Sequence, residues 1–244
     1  MTDLHFKPNG DCVFIHIPKT AGISIYESVL ELERPFGWFY GANKKYFKKP
    51  MMKELYLKHW PTTGASILGH FHYKSLIDSN KLDKHYFDNS FKFAFVRNPY
   101  DRLVSLYKYH RVQKLLGLSF DEFVAILAQE FQANRVPPVG LYNIKNFPET
   151  SPLHHPTIYG NQYNPMTHWL PKDNVLICYL ETFEQDIDHI LSLLGFQGNR
   201  QPVPKKNKAK FDDDFTTFYT NKDTIHLVNI IYKDDFQTFG YDMM

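Results

Sequence analysis

Short apolar runs alternate along the chain with longer stretches in which apolar residues recur at helical spacing. Three runs, 13–17, 91–96 and 175–180, are rich in β-branched and aromatic residues, which favours buried strands. A fourth run, 66–73, resembles a strand that leads into a loop. Because strands alternate with helical segments, the pattern predicts an α/β fold. We expect a single domain over residues 1–244, with a central parallel sheet flanked by helices.

Helix signals follow the three apolar runs and also occur in two further segments. Ile25, Val29 and Leu32 recur at helical spacing after the first run. Asn98 and Pro99 suit the first turn of a helix after the second run. Further helices are predicted over 118–131, where Ser119 and Glu122 form an S-x-x-E capping box, over 183–194 and over 220–239.

The segment 133–173 is rich in proline and lacks a regular period. A long irregular segment in a compact domain is typically a functional loop or a disordered link. We therefore predict that it forms a functional loop or lid. Its polar and aromatic residues suit a sugar-like ligand, and they include His155, Gln162 and Tyr163.

Composition and charge narrow the class of protein. Hydrophobic residues make up 43% of the chain and charged residues 22%, as in ordinary globular proteins. The formal net charge of +2 is too small to predict nucleic-acid binding. No run approaches the roughly 18 apolar residues of a membrane span, and the N-terminus lacks a signal-peptide pattern. These features predict a cytoplasmic protein, and they leave its oligomeric state open.

The turn after the first strand has the features of an anion site. Pro18 ends the strand and Gly22 permits a close backbone turn before the helix. A helix that begins there directs N–H groups and a positive dipole end outward. Lys19 adds a positive charge, while Thr20 and Ser24 add hydroxyl groups. The order of residues differs from a Walker A motif, and an ordinary turn with a surface lysine is the alternative.

A second strand-to-helix turn carries an arginine. Arg97 follows the strand at its carboxyl end, where open α/β sheets bind ligands. Its guanidinium and the hydroxyl of Ser105, eight positions later, suit a phosphate group. The alternative is that Arg97 forms an ion pair with Asp101.

Two histidines lie in the run 66–73. His70 is a candidate general base, because its ordinary pKa lies near neutrality, and a purely structural histidine is the alternative. The spacing of His70 and His72 could also supply half of a zinc site, but no cysteine or acidic partner with ligand spacing accompanies it. We therefore predict no metal. The two cysteines, Cys12 and Cys178, are expected to be buried and unlinked.

The two turns together resemble the sulfotransferases that use 3′-phosphoadenosine 5′-phosphosulfate (PAPS), and most closely the carbohydrate branch that includes heparan and chondroitin sulfotransferases. HIPKTAGIS is similar to the 5′-phosphosulfate loop of that family, and FVRNPYDRLVSLY is similar to its 3′-phosphate motif. The likeness extends to SILGHFHY, to the KKNKAK loop at 205–210 and to the C-terminal YKDDFQTFGY.

The resemblance implies a P-loop-like fold and roles for particular residues. His70 would be the general base, with His72 as its substitute, and Lys19 would stabilise the leaving group. Acceptor contacts are predicted for His72 and, in the acceptor-side loop or lid 133–173, for His155, Gln162 and Tyr163. PAPS would be held by Lys19, Thr20, Ala21, Gly22, Ile23, Ser24, Arg97, Ser105, Lys206, Asn207 and Lys208.

The implied activity is transfer of a sulfuryl group from PAPS to an acceptor hydroxyl, with a carbohydrate favoured as acceptor, PAP as the nucleotide product and no metal. Ile23 stands where a hydroxyl residue is commoner in the family. Two alternatives from other classes are a P-loop kinase-like phosphotransferase and a nucleotide-binding module without catalysis. The acceptor itself cannot be derived from the residues.

Overall fold

The computed structural model describes residues 12–22, 25, 73–78, 84–89, 91–134, 150, 152, 160–193 and 214–244. The chain forms two compact units, one from residues 1–96 and 170–206 and the other from residues 97–169 and 207–244. The prediction of one domain over the whole chain stays a prediction. In the described part, no helix is long and apolar enough to span a membrane.

Strands and helices alternate along the described chain. The strands are β1 (Cys12–Phe14), β2 (Phe91–Val96) and β3 (Leu176–Tyr179). The helices are α1 (Tyr73–Asp78), α2 (Lys84–Asn89), α3 (Pro99–Tyr109), α4 (Val112–Leu116), α5 (Phe120–Gln132), α6 (Phe183–Leu193), α7 (Lys222–Ile231) and α8 (Lys233–Phe239). Short 3₁₀ helices span Gly160–Tyr163, Met166–Trp169, Leu180–Thr182 and Phe215–Phe218.

The first unit is built on a parallel sheet in the order β1-β2-β3. Phe14 pairs with Phe93 in the register of β1 and β2, and Phe93 pairs with Leu176 in the register of β2 and β3. All six residues of β2 are buried, because this strand lies between two others. The α/β class and the parallel sheet predicted from the sequence are confirmed.

Stacked aromatic rings hold the centre of this sheet. The ring of Phe93 lies 5.1 Å from Phe14 and 5.9 Å from Phe91, measured between centroids.

Lys92 is only 3% exposed, and its ammonium donates hydrogen bonds to the carbonyl oxygens of Phe87 and Asp88. Burial lowers the pKa of Lys92, although the charge of Asp88 opposes that shift.

The second unit is a helical cluster around an apolar core. The Ser119 hydroxyl accepts a hydrogen bond from the Glu122 main-chain N–H, and the Glu122 carboxylate accepts one from the Ser119 N–H, so the predicted capping box is present. Asn98 caps α3 through a hydrogen bond from the Tyr100 N–H. The core is made of side chains that are almost fully buried: Tyr100, Leu103, Leu106, Phe123, Leu127, Val228, Tyr232 and Phe236.

Some predicted boundaries were wrong. The helix predicted over 220–239 is two helices, because the backbone at Tyr232 departs from helical geometry (φ −109°, ψ 22°) and its buried hydroxyl donates to the Tyr163 carbonyl. Tyr73 begins α1, whereas the sequence predicted that 66–73 is a strand leading into a loop. The rest of that predicted strand, 66–72, lies outside the described residues.

The described part of 133–173 is more regular than predicted. It contains two 3₁₀ helices, and the side chains of Tyr163, Met166 and Trp169 are buried. Cys178 is buried and unlinked, as expected, and burial raises the pKa of its thiol.

Candidate functional site

The turn after β1 is short and tightly held. The Ile15 N–H donates to the Phe93 carbonyl at 2.9 Å, so pairing with β2 continues one residue beyond β1. Gly22 and Ile25 are helical, and the Ile25 N–H donates to the Ala21 carbonyl at 3.1 Å. The predicted strand and turn are therefore present, and residues 15–21 separate β1 from Gly22. The rest of the predicted helix, including Val29 and Leu32, lies outside the described residues.

Two residues of this loop have left-handed backbones. Lys19 has φ 68° and Ala21 has φ 65°, and neither is a glycine. Such conformations cost free energy in non-glycine residues and persist only where the surroundings enforce them. The Thr20 hydroxyl donates to the Ile17 carbonyl at 2.9 Å and the side chain is 0% exposed. The Thr20 hydroxyl proton therefore stabilises the loop, whereas the sequence analysis assigned it to a ligand.

His16 is a residue of this loop that the sequence analysis missed. Its ring stacks on Phe14 with centroids 5.5 Å apart, and the residue is 8% exposed. A Cβ atom built on Gly22 would lie 1.9 Å from His16 Nε2. Burial, and to a lesser extent the charge of Lys19, lowers the pKa of His16 to about 3. The apolar run around His16 contained no signal for this contact, because the two residues meet only when the loop is folded.

Arg97 lies directly after β2, at the carboxyl end of the central strand. Its Nε donates to Asp101 Oδ2 and its Nη2 donates to Asp101 Oδ1, both at 2.6 Å. The ion pair that the sequence left as an alternative is therefore present. A guanidinium has five N–H donors and this pair uses two, so the pair does not by itself exclude a phosphate. The side chain of Arg97 is 19% exposed.

Ser105 lies on α3 and is half-buried. Three residues before it, Arg102 is 1% exposed and donates to the carbonyl oxygens of Gln162 and Asn164. Burial lowers the pKa of Arg102, although the negative charge of Asp235 opposes that shift. Arg102 is thus a structural arginine within the same motif as Arg97.

Asp235 on α8 binds the same segment from another side. Its carboxylate accepts from the Met166 N–H at 2.7 Å and from the Thr167 N–H at 2.9 Å. Burial raises the pKa of Asp235, and the charge of Arg102 opposes that shift. The segment 160–169 is consequently attached to α3 and α8 through buried charged groups.

Two predicted acceptor contacts fall in this attached segment. Gln162 is 1% exposed and Tyr163 is 0% exposed, and the ring of Tyr163 packs among the core side chains. Their burial does not support contact with an acceptor. The remaining predicted site residues lie outside the described part of the chain: Ile23, Ser24, His70, His72, His155, Lys206, Asn207 and Lys208.

The described residues include no cluster of three or more histidine, cysteine or acidic side chains suited to a metal ion. Within the first unit, β1 and β2 are parallel neighbours, so both strands end at the same edge of the sheet. The loop of Lys19 follows β1 in the first unit, and Arg97 is the first residue of the second unit.

Comparison with known proteins identifies the family. Carbohydrate sulfotransferase 11 of Mus musculus is 26% identical over 183 residues, which cover 62% of this chain and 47% of that protein. The Rattus norvegicus protein of the same name has the same identity and coverage. An uncharacterized protein of Archaeoglobus fulgidus is 30% identical over 118 residues, which cover 48% of this chain and 77% of that protein.

The chain spans about half the length of the two carbohydrate sulfotransferases that it matches. No solved structure matches it. The sequence model described as the Sulfotransferase family matches residues 2–242. Because that match extends over nearly the whole chain, this protein belongs to the Sulfotransferase family.

Proposed function

We propose that the chain transfers a sulfuryl group from PAPS to the hydroxyl of a carbohydrate acceptor. The observation that carries the proposal is the short loop after β1, in which Lys19 and Ala21 have left-handed backbones. Arg97, which follows β2, is included in the proposal as the residue for the 3′-phosphate. Membership of the Sulfotransferase family supports sulfuryl transfer as the reaction.

The residues of the two turns fit the charges of such a nucleotide. Left-handed residues in a loop before a helix are typical of backbone nests that bind anions, and Lys19 and Ala21 have this conformation. In the proposal, Lys19 and the N–H groups of residues 20–24 hold the 5′-phosphosulfate. Arg97 and Ser105 hold the 3′-phosphate. Lys206, Asn207 and Lys208 close over the nucleotide.

PAPS supplies the sulfuryl group, and the protein supplies a base and a positive charge. His70 takes the proton of the acceptor hydroxyl as that oxygen bonds to sulfur. The bond from sulfur to the bridging phosphate oxygen breaks, and the ammonium of Lys19 stabilises the negative charge that grows on this oxygen. A neutral His16 is a poor candidate for the base, because its pKa of about 3 lies far below the working range.

A carbohydrate acceptor is supported by the names of the two mammalian relatives, which are carbohydrate sulfotransferases. Aromatic residues make up 16% of the chain, and aromatic faces suit sugar rings. Because Gln162 and Tyr163 are buried, they are not included among the acceptor contacts of this proposal.

The test combines a binding measurement with an activity measurement. Thermal shift and calorimetry compare PAP, ATP and ADP as ligands, and a transfer assay supplies radiolabelled PAPS with a panel of glycosaminoglycan fragments. We expect PAP to bind more tightly than ADP, and label to appear in a glycan without added magnesium. A magnesium-dependent transfer of phosphate from ATP would support a kinase-like enzyme instead. Tight PAP binding without transfer to any acceptor would support a binding module.

A further inference from the structure

We propose that His16 is a positioning residue of the loop 15–21: its imidazole fills the space beside residue 22 and holds the loop in its anion-binding shape. The inference rests on the function proposed above, in which this loop holds the 5′-phosphosulfate. Under this inference His16 maintains the conformation of the loop, whereas His70 accepts the proton in the proposed reaction.

The contact between His16 and Gly22 leaves no room for a side chain. A Cβ on residue 22 would lie 1.9 Å from Nε2, 2.4 Å from Cε1 and 2.6 Å from Cδ2 of the His16 ring. Real Cβ atoms do not approach other atoms so closely, so either the ring or the backbone would have to move. The ring is nearly fully buried and stacks on Phe14, so its displacement would disturb the end of β1.

The contact lies where the loop needs support. Lys19 and Ala21 are both left-handed non-glycine residues, and such backbones relax unless their surroundings enforce them. The Thr20 hydroxyl secures the middle of the loop through the Ile17 carbonyl. The His16 ring secures its end, because it lies against the first described helical residue after Ala21.

The His16 ring acts through its volume and not through its charge. Burial lowers its pKa to about 3, so the imidazole is neutral at neutral pH. A neutral ring avoids placing a second positive charge beside Lys19 in a buried site. Substitutions of His16 should therefore change PAP affinity, but the shape of the pH profile of that affinity between pH 6 and about 8 should match that of the unmodified protein.

The experiment is a double-mutant cycle of Gly22→Ala and His16→Ala, read by calorimetric PAP affinity and by thermal unfolding of the same samples. We expect Gly22→Ala to weaken PAP binding by about tenfold or more, because small displacements of binding groups are costly. Adding His16→Ala removes the ring that the new methyl group meets. The double variant should then bind PAP more tightly than Gly22→Ala alone. Additive losses, without any such rescue, would overturn the proposal.

Gly117→Ala is the matched control. Gly117 also gains a methyl group, but it has φ +72° and no atom within 4 Å of the added Cβ, so its cost comes from the backbone alone. His16→Ala should not rescue Gly117→Ala in either measurement. Rescue of both glycine variants would mean that the effect is general, and it would also overturn the proposal.

Two further outcomes, a Gly22→Ala variant that does not fold and an unmodified protein that does not bind PAP, can be distinguished from each other. If Gly22→Ala does not fold, His16→Ala alone is tested. A folded His16→Ala variant with unchanged PAP affinity would contradict the positioning role. If the unmodified protein does not bind PAP, the proposed function fails. The coupling between residues 16 and 22 in thermal unfolding still decides whether the contact determines the loop shape.

Discussion

Arg97 is held by a neighbouring carboxylate, and this contact provides a test of the proposed nucleotide site. Asp101 holds its guanidinium through two N–H donors at the start of α3. Orientation by a carboxylate is useful, because it reduces the rotamer freedom that phosphate binding would otherwise remove. The same carboxylate becomes an unpaired negative charge when the arginine is removed.

We predict that Arg97→Ala weakens PAP binding by about 10- to 100-fold, as expected for loss of a charge-assisted hydrogen bond. Repulsion between the phosphate and Asp101 acts in the same direction. Calorimetry with PAP measures the effect. Lys114→Ala, which removes an equal charge from an exposed position on α4, is the control and should leave affinity unchanged. Equal affinities of Arg97→Ala and the unmodified protein would remove Arg97 from the site.

His70 carries the proposed proton transfer, so its loss should affect turnover and not binding. We predict that His70→Ala lowers kcat by about 10²- to 10⁴-fold, the usual contribution of a general base, while PAP affinity stays the same. His72→Ala is the matched variant two positions away and should have a much smaller effect. The reverse pattern would assign the base to His72, and unchanged turnover in both variants would exclude a base in this segment.

At the scale of elements, Arg102 and Asp235 attach the segment 160–169 to α3 and α8. Both side chains are almost fully buried, and together they bind four main-chain groups of the segment. Buried charged groups are costly unless hydrogen bonds compensate them, so removal of either side chain leaves buried main-chain groups of the segment without their partners. The segment predicted to be a loop or lid is, in this part, a fixed element of the second unit.

We predict that Asp235→Ala lowers the free energy of unfolding by about 1–3 kcal/mol, because it leaves the buried N–H groups of Met166 and Thr167 without their acceptor. Denaturant titration followed by circular dichroism measures the change. Asp234→Ala removes the same charge from the exposed neighbouring position of α8 and should cost far less. If the two variants lose equal stability, the buried attachment does not stabilise the unit.

Some elements were predictable because their signals are local. The cap at Asn98 with Pro99, and the capping box of Ser119 and Glu122, each lie within four residues of the helix start that they define. The division between α7 and α8 at Tyr232 was not predictable. Apolar periodicity continues across it, whereas a hydrogen bond to the distant Tyr163 carbonyl accompanies the break.

For the candidate site residues, the sequence predicted positions in the fold. Motif spacing placed Lys19 and Arg97 in turns that follow strands, and their roles stay predictions. His16 and Arg102 were missed, because their roles depend on contacts that residue spacing does not encode. Gln162 and Tyr163 were assigned to the acceptor from their residue type, and burial in the core argues against that assignment.

At the scale of the whole molecule, the parallel sheet is the framework of the first unit, and β1 leads directly into the loop of Lys19. Phe93 is 0% exposed in the middle strand and lies in the register between Phe14 and Leu176. Its removal would leave a cavity among side chains of all three strands.

We predict that Phe93→Ala lowers the free energy of unfolding by about 3–5 kcal/mol, the usual cost of truncating a buried phenylalanine. Thermal and denaturant unfolding measure it. Tyr109→Ala, at a position that is 52% exposed, is the control and should cost roughly 0.5 kcal/mol or less. A loss below about 1 kcal/mol in Phe93→Ala would show that the sheet tolerates the cavity by relaxing around it.

The α/β class, the order of strands and helices, and the two turns that carry Lys19 and Arg97 were already determined by the sequence. These features depend on periodicity, caps and turn residues that act within a few positions of one another. The folded structure alone decided that His16 excludes a side chain at residue 22, that Arg102 and Asp235 hold residues 160–169, and that Tyr163 belongs to the core. Each of these depends on atoms brought together by packing, whose identity cannot be derived from the spacing of residues along the chain.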